Sequence, residues 1–257
     1  LSSSSALESC FAHALNVMFN NSAIDRFELA RVGQSTEHNY CGVKCGIMDQ
    51  FASLFGKKDC LMRLDCRSME FQYFPFHPTD YRLVLVNSKV KHALVDSPYN
   101  KRRESCERVA KALGMETLRD AEMADLERIQ GTMSEDDFMR ALYVIGEKTR
   151  VLDVCDALQR DDYETVGARM YETHWGISKD YEVSCEELDS LVTLAQQCGV
   201  TGSRIMGGGF GGCTINLVRS ERYDAFVEQV LDLFPKRYQV QPDIIPVVIS
   251  EGARQLD

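Results

Sequence analysis

Nowhere in the 257-residue sequence does an apolar stretch approach the ~18 residues that a membrane-spanning helix needs. The start of the chain also lacks the charged, apolar and small-residue series of a secretory signal. Positive charge is scarce: 29 Lys and Arg stand against 39 Asp and Glu, a formal net charge of -10. That balance argues against a phosphate-backbone binder, whose mark is a basic stripe. The one basic cluster, Lys101-Arg102-Arg103, reads as a solvated helix face. Ten cysteines contain no Cys-x-x-Cys pair, and the nearest pairs (Cys41 and Cys45, Cys60 and Cys66) have no histidine at zinc-finger spacing. They read as reduced, mostly buried thiols of a reducing compartment. Neither a Gly-x-Gly-x-x-Gly after a strand nor a Gly-Lys-Ser is present, so any nucleotide is held in another way. The expectation is a soluble cytoplasmic protein with no nucleic-acid, membrane or obligate protein partner.

What the chain does have is an ordinary globular balance, 44% apolar and 26% charged, with length for one large domain or two modest ones. It begins at Leu1, without Met, and a serine quartet (Ser2–Ser5) runs straight into a helix, so a start in mid-domain is expected. Periodicity predicts that helix over 4–19, with Leu7, Phe11, Ala14, Leu15, Met18 and Phe19 on one face. A second helix spans 25–38, capped by Asp25 with Glu28 three positions on, and a third runs 48–55 and ends at Gly56. Alternation predicts strands over 60–65 and 70–74, and Pro75 and Pro78 mark a boundary. A buried strand over 82–87 precedes helices over 99–113, 136–159, 163–173 and 185–198. Strands over 203–206 and 213–218 flank a glycine loop, followed by a helix over 223–234 and a strand over 244–249. The mixture is an α+β arrangement.

Three constellations carry chemistry. Gly207-Gly208-Gly209-Phe210-Gly211-Gly212 lets the backbone take positive φ and approach a ligand, as an anion nest does, although a hairpin turn accounts for one or two of its glycines. Ser2–Ser5 place hydroxyls and N–H groups at a helix start, which suits an anion; plain capping needs one serine only. Asp49 lies in a first helical turn after Gly46, either as a dipole partner or as an acceptor for a hydroxyl proton. Glu37, near a helix end, is a poor dipole partner and a candidate magnesium ligand. His174 reads as a packed or capping group, and Asp161-Asp162 as an ordinary helix start.

The motifs at residues 1–8 (Leu-Ser-Ser-Ser-Ser-Ala-Leu-Glu), 45–51 (Cys-Gly-Ile-Met-Asp-Gln-Phe) and 207–213 (Gly-Gly-Gly-Phe-Gly-Gly-Cys) resemble those of galactokinases in the GHMP kinase superfamily. Residues 87–92, 99–103 and 180–189 agree. The resemblance implies an α/β (α+β) GHMP kinase fold: part of a ribosomal-S5-like domain over 1–76, then a ferredoxin-like domain over 77–257. It implies transfer of the ATP γ-phosphate to the 1-hydroxyl of α-D-galactose. On this reading Ser2, Ser3, Ser4 and Ser5 wrap the nucleotide phosphates, with Gly207, Gly208 and Gly209 beside them. Ser4 and Glu37 hold Mg2+, Asp49 is the catalytic base, and Gly46, Asp49 and Tyr99 contact the sugar. Alternatives are a kinase for N-acetylgalactosamine or arabinose, and a non-enzymatic galactose- and ATP-binding regulator; the retained serines and Asp49 argue against the last. The family's first motif lies upstream of Leu1, so a chain with these ends is expected to lack part of the sugar site and to be inactive alone. Met206 stands where many relatives carry threonine.

Overall fold

Small residues decide how the first helix packs. The computed structural model describes residues 2–90 and 99–256, without the side chains of residues 99 and 100. Leu1, Lys91 and His92 of the family-like motifs therefore lie outside the described residues, as does the Tyr99 side chain. Helix α1 (Ser3–Phe19) packs against α2 (Arg26–Asn39) and α3 (Met48–Phe55). Its buried residues are Ser5, Ser9 and Asn16, and Ala12 joins the adjoining core. The apolar stripe predicted from periodicity faces outward within this unit: Leu7, Phe11, Leu15, Met18 and Phe19 are 53% to 76% exposed. The spacing of 5, 9, 12 and 16 is itself helical, and its short side chains let three helices approach closely. Buried Asn16 closes the next turn, donating to Ile24 O (2.8 Å) and accepting from Ile24 N–H (3.1 Å). Asp25 caps α2 as predicted, accepting from Glu28 N–H at 2.9 Å.

The first compact unit is Leu1–His77 together with Val248–Asp257. Its antiparallel hairpin, β1 (Cys60–Leu64) and β2 (Phe71–Pro75), pairs Cys60 with Pro75 and Leu64 with Phe71. Phe27, Phe51, Phe55 and Phe71 cluster between helices and hairpin, Phe51 stacking on Phe55 at 4.2 Å. The sequence reading kept 77–257 together; here the final stretch packs with the first unit instead. Gly252 N–H donates to Gly56 O (2.8 Å) and Ala253 N–H to Ser53 O (2.7 Å). Gly56 has φ -49, so it does not end α3 through a left-handed cap. Its glycine is a matter of space: a Cβ there would lie 2.9 Å from Ala52 O and 3.2 Å from Gly252 N.

The second unit, Pro78–Val247, is built on a four-stranded sheet. Its strands are β3 (Tyr81–Asn87), β4 (Gly202–Met206), β5 (Cys213–Arg219) and β6 (Asp243–Pro246). They run antiparallel in the order β4-β5-β3-β6. Taken in chain order this is 2-3-1-4, the split βαβ arrangement of a ferredoxin-like sheet, as expected. Helices α4 (Tyr99–Ala112), α5 (Met123–Arg128), α6 (Glu135–Leu158), α7 (Tyr163–Lys179) and α8 (Glu186–Gln197) lie between the first two strands in sequence, and α9 (Tyr223–Tyr238) between the last two. The main core joins Val84, Val86, Ile205 and Val218 of the sheet to Leu188, Leu191, Phe226 and Val230 of α8 and α9. Helix α7 runs beyond the predicted 163–173, which places His174 inside a helix, fully buried beside Asp189 (Nε2 to Oδ1 3.3 Å). The strand predicted over 244–249 stops at Pro246, where the chain leaves for the first unit. Among the described residues, no helix is long and apolar enough to cross a membrane.

Candidate functional site

Ser2 is the N-cap position of α1, but its side chain makes no capping bond. Ala6 N–H is bonded to Ser2 O (3.1 Å), the first hydrogen bond of the helix. The N–H groups of the turn before it have no intrahelical acceptor, and the helix dipole adds partial positive charge there. Ser2, Ser3 and Ser4 are exposed; Ser5 is buried. The hydroxyls thus have separate tasks. Ser4 Oγ donates to Glu37 Oε1 at 2.6 Å, and Ser5 Oγ accepts from Gln50 Nε2 at 3.1 Å. Glu37 is 8% exposed, and ligand atoms of Glu8, Glu37 and Cys41 lie within 4.8 Å of one another. Burial, and then the Glu37 carboxylate, raise the pKa of Glu8. Ser4 Oγ and the Glu37 carboxylate are hard oxygen donors of the kind that suits Mg2+, with the Glu8 carboxylate close by; the Cys41 thiol of the cluster is a softer group.

Asp49 sits in the first turn of α3, half-buried. Among the described residues no hydrogen bond is made by its carboxylate, while its carbonyl accepts from Ser53 Oγ (2.8 Å). The preceding turn is pinned from α2: Cys45 O accepts from Gln34 Nε2 at 3.2 Å and lies 2.8 Å from His38 Nε2. A carbonyl can only accept, so His38 carries its proton on Nε2. The Cys45–Gly46 peptide is therefore fixed, and among the described residues, its two chain neighbours aside, none has an atom within 4 Å of where a Cβ on exposed Gly46 would stand. Open space there leaves the turn approachable. Gln34, His38 and Gln50 were not singled out in the sequence. The signal available was spacing, since Gln34 and His38 are four apart and share a helix face with neighbouring Glu37.

In the second unit the glycine loop joins β4 to β5. It is a hairpin loop, as the plain reading allowed, yet its geometry exceeds a hairpin's needs. Gly207, Gly209, Gly211 and Gly212 have φ of +86, +83, +126 and +85, and Phe210 is left-handed at 57. A Cβ on Gly209 would fall 2.1 Å from Val183 O, so space and conformation both require glycine. Phe210 N–H donates to Val183 O (2.7 Å). At the far end Gly212 O accepts from Ser88 N–H (2.9 Å) and Ser88 Oγ (2.8 Å), and Gly212 N–H donates to Val90 O (3.1 Å). The loop is held in shape. One sequence expectation fails beside it: Arg102, read as solvated, is 7% exposed and donates to the carbonyls of Tyr181 and Glu182. Tyr99 begins the same helix, α4.

Comparison with known proteins accounts for this set of features. The model for the GHMP kinases N terminal domain matches residues 1–57, and that for the GHMP kinases C terminal matches 155–236. A galactokinase of Thermotoga petrophila is 38% identical over 257 residues, covering 100% of this chain and 72% of its own length. The chain belongs to the galactokinase family. The Homo sapiens galactokinase is 45% identical over 192 residues, 74% of this chain and 49% of the human protein. The crystal structure of Lactococcus lactis galactokinase complexed with galactose matches with a TM-score of 0.93 at 31% identity, covering 100% of this chain and 67% of that one. Within this galactokinase-family chain, the N-terminal family region contains the serine turn and Asp49, and the C-terminal one contains the glycine loop.

Proposed function

We propose that this chain phosphorylates the C1 hydroxyl of α-D-galactose with ATP. The observation that carries the reading is Asp49: a half-buried carboxylate in the first turn of α3, without a hydrogen bond among the described residues, beside a Gly46 turn fixed by Gln34 and His38. In the reaction the sugar oxygen forms a bond to the γ-phosphorus as the bond from that phosphorus to the β-γ bridging oxygen breaks, leaving ADP. Asp49 accepts the proton of the attacking hydroxyl. The N–H groups of the Ser2, Ser3, Ser4 and Ser5 turn and the exposed hydroxyls of Ser2 and Ser3 bind phosphate oxygens, as do the N–H groups of Gly207, Gly208 and Gly209. Gly46 and Tyr99 contact the sugar. Ser4 and Glu37 offer the oxygen donors that would hold Mg2+, which would supply charge neutralisation for the phosphates. The ten free cysteines accord with a cytoplasmic setting.

The test is a coupled ADP-release assay on the full natural polypeptide with galactose, N-acetylgalactosamine and arabinose. Galactose is expected to give the highest kcat/KM. Asp49→Asn should lower kcat by about 10^2–10^4, the scale of a lost general base, with galactose still bound. Turnover unchanged in Asp49→Asn, or a clear preference for another sugar, overturns the reading.

A further inference from the structure

The seat of the glycine loop is itself under constraint. Glu182 is left-handed at φ 54, an uncommon and costly conformation for a residue with a Cβ. Two guanidinium groups meet on it. Arg102 Nη2 donates to Glu182 O (2.8 Å) and Oε2 (3.4 Å), while its Nε donates to Tyr181 O. Arg140 Nη2 donates to Glu182 Oε2 (2.8 Å) and to Asp136 Oδ2 (3.2 Å), and its Nη1 to Ser105 Oγ (3.0 Å). Both arginine side chains are nearly buried, at 8% and 11% exposure. Taking two like charges out of water to one glutamate is unfavourable unless the geometry is closely matched. The next residue, Val183, donates its N–H to Ile177 O (3.1 Å), and its carbonyl receives Phe210 N–H. That same carbonyl is the atom a side chain on Gly209 would strike.

We infer that Arg102 is a positioning residue for the glycine loop. With Arg140 it holds Glu182 in the left-handed conformation, which aims the Val183 carbonyl at Phe210 and fixes where the loop presents its N–H groups. Two of its hydrogen bonds go to the main-chain carbonyls of consecutive residues, Tyr181 and Glu182. A guanidinium meets them with two separate nitrogens, Nε and Nη2, held in a rigid planar fork, whereas a lysine offers a single nitrogen on a flexible stem. The role rests on the reading that Gly207–Gly209 face nucleotide phosphate.

The experiment compares the parent polypeptide with Arg102→Lys and Arg102→Met. It measures affinity for a non-hydrolysable ATP analogue by calorimetry, KM for galactose, and amide hydrogen exchange. Arg102→Lys is expected to weaken analogue binding about tenfold, the scale of a lost charge-assisted bond. Exchange at the Phe210 amide should quicken while β5 keeps its protection and KM for galactose stays near the parent value. Glu182→Gln, which leaves the backbone untouched, should move both readouts in the same direction and serves if Arg102→Met does not fold. Parent-like analogue affinity, a shift confined to KM for galactose, or equal loss of protection throughout β5 would overturn the inference. A parent polypeptide that binds no nucleotide is a different result, which overturns the functional reading and this inference with it.

Discussion

Acidic residues here differ by what meets them. Among the described residues Asp49 meets no donor and Glu37 meets the Ser4 hydroxyl, whereas Asp137 is gripped by Arg108 through Nε (2.9 Å) and Nη2 (2.8 Å). The Arg108 hydrogen bonds, more than any other influence, hold the Asp137 carboxyl at about 2, below its ordinary 3.8. A folded-state value below the unfolded one gives stability that is complete above about pH 4 and disappears as the pH falls through about 2. Arg108 is half exposed, so water screens the pair, and Asp137→Asn should cost about 1 kcal/mol at neutral pH. Urea unfolding at neutral pH and near pH 2 checks this: the gap between parent and variant must narrow as the pH falls toward 2. The sequence picked out Ser4, Asp49 and the glycine run because their chemistry is local to a motif, and Glu37 because a carboxylate near a helix end is a poor dipole partner. It left out Gln34, His38 and Gln50, and misplaced Arg102, because those act on main-chain or side-chain atoms that only folding brings near.

At the scale of elements, helix starts were the most legible feature. Asp25 and Ser134 both cap as their residue types suggest, and Ser134 Oγ accepts Asp137 N–H at 3.2 Å to open α6. Ser134→Ala should therefore lower stability by about 1 kcal/mol, read as a shift in the urea midpoint without change in its slope. A midpoint equal to the parent's would mean that α6 is held by packing alone. Ends were less legible, because nothing local stops α7 at residue 173. Helix α1 is the instructive departure. Hydrophobic periodicity located its apolar stripe, yet the small polar stripe is the side that α2 and α3 cover. Periodicity reports where apolar side chains lie on a helix and says nothing of which side a neighbour takes.

At the scale of the whole chain, the return of Val248–Asp257 to the first unit hinges on two glycines. A Cβ on Gly252 would stand 2.8 Å from the Leu54 carbonyl and 2.9 Å from Gly56 N, main-chain atoms that cannot step aside. Gly252→Val is expected to quicken amide exchange in α3 and β1 while the β3–β5 pairing keeps its protection; uniform protection throughout would show that the segment contributes nothing there. By itself the sequence determined the family, the order and type of most elements, the serine start, Asp49 and the glycine loop, since each is written in a few adjacent residues. Tertiary structure alone decided which face of α1 is buried, that the C-terminal segment leaves the second unit, and that Arg102 turns inward to a strained Glu182. The reason is common to all three. Each depends on atoms far apart in sequence and close in space, and neither propensity nor periodicity carries information about such pairs.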